Sequence, residues 1–254
     1  MPKIFRKRIG LFLLAMPLTT ACLVSTVVAQ DAAPASSSNY VPSDADLAAA
    51  HCIIGEERFL PGDYYYCLGG LTYGQHKYIE ANRFFTTAAS WASKPAQYVL
   101  GVMALNGDHQ PKNRALALAW FALASERPDS RFKAPYDEVY KASTHAERRA
   151  ADALLEKMRP IYGDATAAIR AQNRYLDGMA MLKHLNNAGN KYCIEGEATL
   201  DRPNTDTSAC QSVQEVVQSV DTASVHVFEG WSGHVTVGPL QQVAAPADKL
   251  QGTN

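Results

Sequence analysis

Two short motifs recur in the same order in the middle of this 254-residue chain, and that recurrence limits its fold more than any other feature. Tyr66-Cys67-Leu68-Gly69 returns 32 residues later as Tyr98-Val99-Leu100-Gly101. Ala81-Asn82-Arg83-Phe84-Phe85-Thr86-Thr87-Ala88-Ala89 returns 36 residues later as Ala117-Leu118-Ala119-Trp120-Phe121-Ala122-Leu123-Ala124-Ser125. Each copy reads as helix, glycine-containing turn, helix, and the difference in offset falls in a connecting loop that is longer in the second copy. Gly107-Asp108-His109-Gln110-Pro111 is that second turn, with Pro111 suited to the start of the next helix. Leu100-Gly101, Ala117 and Ala124 allow two antiparallel helices to approach closely, while Tyr98, Trp120 and Phe121 fill the space between them. A helical pair of this kind cannot bury its apolar face alone and must stack on neighbours.

The second copy, Ala96-Gln97-Tyr98-Val99-Leu100-Gly101-Val102-Met103-Ala104-Leu105-Asn106-Gly107 followed by Pro111-Lys112-Asn113 and Ala117-x-x-Trp120-Phe121-x-x-Ala124, resembles a Sel1-like repeat. It departs from that pattern at Ala104, where an aromatic is usual, and at His109, where Gly is usual. The first copy is more degenerate, because Gly70-Leu71-Thr72-Tyr73-Gly74-Gln75-His76 shortens the turn. The resemblance covers residues 64–126. It implies a mainly α chain, an α/α helical-hairpin solenoid related to tetratricopeptide repeats, that binds proteins and shares no common catalytic residues. In such solenoids the first helices line the concave surface, which nominates Val99, Val102 and Asn106 as a binding stripe.

The flanking segments are of different character. Lys3, Arg6, Lys7 and Arg8 precede an apolar run that extends to Val27-Val28-Ala29, the pattern of a secretory signal peptide (residues 1–29) cleaved after Ala29. Lipidation at Cys22 is the weaker alternative, because Thr19 stands where a lipobox prefers Leu and the run stays apolar past Cys22. An uncleaved membrane anchor is the other alternative. Four of the 24 basic residues and none of the 25 acidic ones lie in this segment, so the overall charge of −1 conceals a remainder of −5. That balance argues against a nucleic-acid partner, and 47% hydrophobic residues exclude a disordered chain. The expected mature form does not span a membrane and is periplasmic or secreted.

Residues 30–43 read as a linker and 44–186 as the helical repeat domain, opened by Ser43 as the cap of a short helix. Four cysteines remain beyond residue 29, an even number that favours disulfides in an oxidising compartment. Their spacing makes Cys52–Cys67 and Cys193–Cys210 the economical pairing, and a zinc site of His51, Cys52, Cys67 and His76 is the alternative. Thr144-His145-Ala146-Glu147 is a capping box for a helix that carries Ala150, Leu154, Leu155 and Met158 on one side and stops at Pro160. A further helix runs through Ala168, Ile169, Gln172, Leu176, Met179 and Leu182 to about Leu185. Residues 187–243 read as a small disulfide-linked, β-containing module, with Lys191–Gly196, Ser224–Phe228 and His234–Gly238 as strands. Residues 244–254 read as a frayed end.

No GxSxG, HExxH, P-loop or GxGxxG is present, so the sequence assigns no catalytic residue, metal or cofactor. The expected function is a non-catalytic protein-interaction scaffold of the bacterial cell envelope, binding an envelope protein or peptide. Two alternatives stay open. A secreted hydrolase acting on peptidoglycan or β-lactams would use Glu195 and Glu197 as paired carboxylates. A glycan-binding module would use Trp231, which lies in a Gly-flanked turn, whereas Trp91 and Trp120 fall at helical core positions. His226 and His234, with Glu229, could meet across the tail hairpin and hold a metal.

Overall fold

A computed structural model describes residues 42–53, 55–187, 191–192 and 210–232. The described residues are mostly helical: α1 (Asp44–Ala48), α2 (Pro61–Gly74), α3 (Tyr78–Ser90), α4 (Lys94–Asn106), α5 (Arg114–Ala124), α6 (Lys133–Lys141), α7 (His145–Tyr162), α8 (Ala167–Asn187) and α9 (Val213–Val227), with a 3₁₀ turn at Glu56–Arg58. Consecutive helices pack as hairpins, α2 on α3 and α4 on α5, and α7 lies against α5.

The caps explain most of the boundaries. Ser43, Thr144 and Ser212 each open a helix with a reciprocal capping box to Asp46, Glu147 and Glu215. Ser93 caps α4, and Gly107 ends it in the left-handed region at φ 72°, a backbone state open to glycine without strain. The expected helix start at Pro111 is displaced to Arg114. Asn113 accepts a hydrogen bond from the Leu116 N–H at 3.0 Å, so the Asn side chain, not the proline ring, organises the first turn. The turn from α2 to α3 needs only residues 75–77, whereas that from α4 to α5 takes 107–113, which accounts for the two repeat offsets.

Both copies are built around one contact. A Cβ placed on Gly69 would lie 2.5 Å from the Phe85 ring, and one placed on Gly101 would lie 2.6 Å from the Phe121 ring. The partner tyrosines repeat as well. Tyr66 tilts against Phe85 with centroids 5.9 Å apart, and Tyr98 against Phe121 at 5.4 Å. Ala81, Ala88, Ala117 and Ala124 are fully buried, and Leu100 and Trp120 are buried beside them; Leu68 and Phe84 are half-buried in the first copy. The sheltered ring fills the space that a side chain on the facing helix would need, so glycine is required there by close approach rather than by backbone conformation. A third instance closes the other end of the described chain, where a Cβ on Gly178 of α8 would come 2.4 Å from Phe59.

Three expectations for the later helices need correction. α7 continues through Pro160 to Tyr162, with the proline two residues from its end, so the helix does not stop there. Its buried side carries Ala151 and Met158 with Leu154 and Leu155; Ala150 is exposed. α8 buries Ala168, Ala171, Tyr175, Met179 and Leu182, while Ile169 (48% exposed) and Leu176 (39%) face outward. Ala168, Met179 and Leu182 of the expected seam are buried; Ile169 and Leu176 are not, and the smaller Ala171 and Gly178 line the contact with Tyr175 and permit closer packing.

The expected strand at Ser224–Phe228 is also corrected. Those residues form the last turn of α9 and its cap. The local alternation of Val225, Val227 and their neighbours mimics period 2. Over the whole segment, however, Val213, Val216, Val220 and Ser224 recur at three- and four-residue intervals and are buried, packed with Tyr175 and Leu182 of α8. Tyr175 donates to Asp221 at 2.6 Å, which locks α8 to α9. Among the described residues the β structure is a single isolated bridge between Lys191 and Ser212. Cys193–Gly196, Glu197, His234–Gly238 and the expected frayed end lie outside the described residues, as do the expected signal peptide and most of the linker.

Cys52 and Cys67 form a disulfide, which replaces the zinc alternative for these two cysteines. It ties the segment before α2 onto the middle of that helix, and closing a loop of 15 residues stabilises by roughly 3 kcal/mol in the chain-entropy treatment. Cys210 is disulfide-bonded, and Cys193, its expected partner, lies outside the described residues.

The Gly–Phe contact makes opposite predictions for adjacent glycines of α2. Gly69→Ala is expected to lose about 1–3 kcal/mol by overpacking against Phe85. Gly70→Ala, whose added methyl would meet only Leu47 at 3.5 Å, is expected to gain up to about 1 kcal/mol from helix propensity. Urea denaturation of the two variants checks both signs.

Candidate functional site

The first turns of α2 and α4, the segment 127–132 between α5 and α6, and the end of α9 surround a cleft of about 610 Å³. Its placement follows from the repeat. Hairpins stacked in one direction present successive first-helix N-termini along one edge, here Gly62 and Asp63 of α2 and Ser93, Lys94 and Pro95 of α4. The α9 side is brought in by a tight turn in which Gly230 adopts φ 72°, with Pro128 O only 3.1 Å from where a Cβ would be.

Beneath the cleft lies a network of buried charges. Lys94, 6% exposed, donates to Leu123 O at 2.8 Å and Gln97 Oε1 at 3.3 Å, and pairs with Asp164 at 2.9 Å and Glu126 at 3.2 Å. Arg127, 7% exposed, donates from Nε to Asp164 Oδ2 at 2.9 Å and from Nη1 to the carbonyls of Val227 (2.8 Å) and Glu229 (3.0 Å). Glu126 accepts from the Asp164 N–H at 2.9 Å, and the fully buried Gln97 donates to Tyr162 O at 2.9 Å. Two cations thus meet two carboxylates, and the spare donors satisfy carbonyls at the ends of α5, α7 and α9. Burial lowers the Lys94 ammonium from its ordinary value, against the opposing pull of Asp164 and Glu126.

The rim has different properties. Asp63 is exposed by area, yet the walls displace enough water to raise its carboxyl above the usual range, with His226 pulling the other way. The Tyr66 hydroxyl is raised by burial, lowered by Arg131 and raised by Asp63, which places it between those two charges. Arg131 lies over the Phe132 ring at 4.9 Å, and Phe132 stacks on Tyr98 at 4.9 Å, so the loop is anchored on the second repeat.

No family model, curated protein or solved structure matches the chain. What the site can do therefore rests on its own geometry.

The residues nominated from sequence divide among several places. Val99 is half-buried against the cluster around Trp120, and Val102 is half-buried against that around Phe121; Asn106 is exposed. Trp231 is half-buried, packed on Phe228 with centroids 5.8 Å apart and against Ala167 and Ala168. Trp91 is half-buried with Arg170 over its ring at 5.4 Å. His226 and Glu229 both line the cleft, whereas His234, Glu195 and Glu197 lie outside the described residues. Among the described residues no group of three or more His, Cys, Asp or Glu is placed to hold a metal ion. Tyr66 is the signature residue that the cleft shares with the repeat.

Sequence reasoning missed Asp63, Lys94, Arg127, Arg131 and Asp164. One signal was present: a lysine in the first turn of a helix opposes the macrodipole, and Lys94 directly after its Ser93 cap therefore needs buried carboxylates to hold it.

Arg127→Ala leaves the buried Asp164 and Glu126 carboxylates with Lys94 as their one network cation and uncaps two carbonyls at the end of α9. It is expected to cost about 3–5 kcal/mol, as for other broken buried pairs. Arg170→Ala, which removes an exposed cation from Trp91 and its donors from the Ser90 and Ile161 carbonyls, is expected to cost about 1–2 kcal/mol. Chemical denaturation of both variants measures the difference.

Proposed function

We propose that this chain is a non-catalytic protein-interaction module of the Sel1-like type, a scaffold of the bacterial cell envelope whose edge cleft holds an extended segment of a partner protein. The recurrence of Tyr66-Gly69-Phe85 as Tyr98-Gly101-Phe121 in the same three-dimensional contact supports the repeat assignment. The observation that carries the docking reading is the cleft itself: about 610 Å³, walled by first turns of both repeat copies, and backed by a charge network whose donors are already satisfied. A floor so fully paired does not need a small ion to complete it, and the rim mixes aromatic and charged groups as protein-docking surfaces do. The Cys52–Cys67 bridge fits an oxidising compartment. Among the described residues no helix is long and apolar enough to cross a membrane.

The experiment is site-specific photo-crosslinking in the source bacterium. Benzoylphenylalanine in place of Arg131 or His226, both exposed at the cleft, is expected to give a discrete adduct with an envelope protein. The same probe in place of Ile169, on the outer face of α8, is expected to give none. An adduct from position 169 with none from the cleft positions overturns the assignment.

A further inference from the structure

The sign of the charge that the cleft selects follows from what its floor leaves over. Lys94 and Arg127 are matched by Asp164 and Glu126, so the buried network contributes two positive and two negative charges and no net field of its own. The rim is unbalanced. The side chains of Asp63, Asp129 and Glu229 make no ion pair or hydrogen bond among the described residues; outside the buried network the lining holds one permanent cation, Arg131, and one titratable group, His226, whose positive form faces Asp63, so three carboxylates exceed the cations in either state. The positive N-terminal ends of α2 and α4 outweigh the negative C-terminal end of α9 by only about half a charge, less than the excess of rim carboxylates. Asp63 is the sharpest of the three. The surrounding walls disfavour its ionised form, so an incoming cation recovers what desolvation costs it. Tyr66, half-buried beside it, offers an aromatic surface of the kind that long cationic side chains use for their aliphatic stems.

We propose that the cleft recognises a lysine or arginine side chain of the partner segment, its charged head held by Asp63 together with Asp129 and Glu229 and its stem against Tyr66. This rests on the reading of the cleft as the docking site and adds the chemistry of what docks there. It also explains a division of labour: the buried cations cannot repel such a ligand because they are already neutralised, while Arg131, turned onto Phe132, excludes a second positive charge from that end.

The test uses three blocked tripeptides, acetyl-Gly-Arg-Gly-amide, its glutamate counterpart and its norleucine counterpart, titrated at low salt into the purified, isotope-labelled protein with its disulfide intact. Saturable amide shifts confined to residues 62–66, 127–132 and 226–230 are expected with the arginine peptide, and none with the glutamate peptide. Asp63→Asn, Asp129→Asn and Glu229→Gln are each expected to weaken the arginine peptide by about 2- to 5-fold, in line with the worth of a partly exposed ion pair. These variants break no contact among the described residues, so their spectra should otherwise match the parent protein. Equal binding of the norleucine peptide, preference for the glutamate peptide, or no saturable shift with any of them overturns the cation rule. The photo-adducts separate the two claims. If adducts form at positions 131 and 226 while arginine and norleucine bind alike, docking stands and the cation rule falls. If no cleft adduct forms, the docking reading falls whatever the peptides do.

Discussion

The ring of Phe85 stands where a side chain on Gly69 would otherwise be, and the ring of Phe121 stands in the same relation to Gly101. Helices brought this close gain dispersion contacts along both backbones, and the fully buried alanines beside the rings continue the same close approach. Because one contact sets the spacing in both hairpins, the second copy superimposes its first turn beside that of the first. The edge on which the cleft forms is a consequence of that repetition. The extra loop residues at 107–113 change the turn without disturbing the contact.

A stack of hairpins has open ends, and in this chain one of them is closed by polar rather than apolar means. Arg127 reaches from the end of α5 to the Asp164 carboxylate after α7 and to two carbonyls after α9, so three chain reversals share one guanidinium. Such a fork imposes direction as well as proximity, because its donors are coplanar and fixed. Lys94 completes the same carboxylate from the side of α4. The outcome is a cleft whose floor pairs two buried cations with two carboxylates.

The helical part of this design was legible in the sequence because helix caps and repeats are local signals. The cap at Ser43, the box at Thr144 and the turn at Gly107 are each encoded within a few residues, and the structure places them as the spacing implies. Misreadings arose where the deciding contact is distant. On α8 the expected seam holds at Ala168, Met179 and Leu182 but not at the large residues Ile169 and Leu176, since nothing local reveals that Gly178 meets Phe59, just after the 3₁₀ turn, or that Ala171 joins the same cluster. At Ser224–Phe228 a five-residue alternation outweighed the longer helical period, and burial against Tyr175 and Leu182 settles it as helix. The cleft was nearly invisible, because Asp63, Lys94, Arg127 and Asp164 are separated by dozens of residues and belong to no motif. Val99, Val102 and Asn106 were nominated from the resemblance, and the two valines are half-buried in neighbouring clusters.

The central claim is that one glycine–phenylalanine contact, used twice, sets the spacing of the hairpins. A pair of double-mutant cycles measures it most directly, combining Gly69→Ala with Phe85→Leu in the first copy and Gly101→Ala with Phe121→Leu in the second. A smaller facing side chain makes room for the added methyl, so each double variant is expected to be more stable than the sum of its single losses, by about 0.5–3 kcal/mol in both copies. Additive losses in either copy would contradict the account.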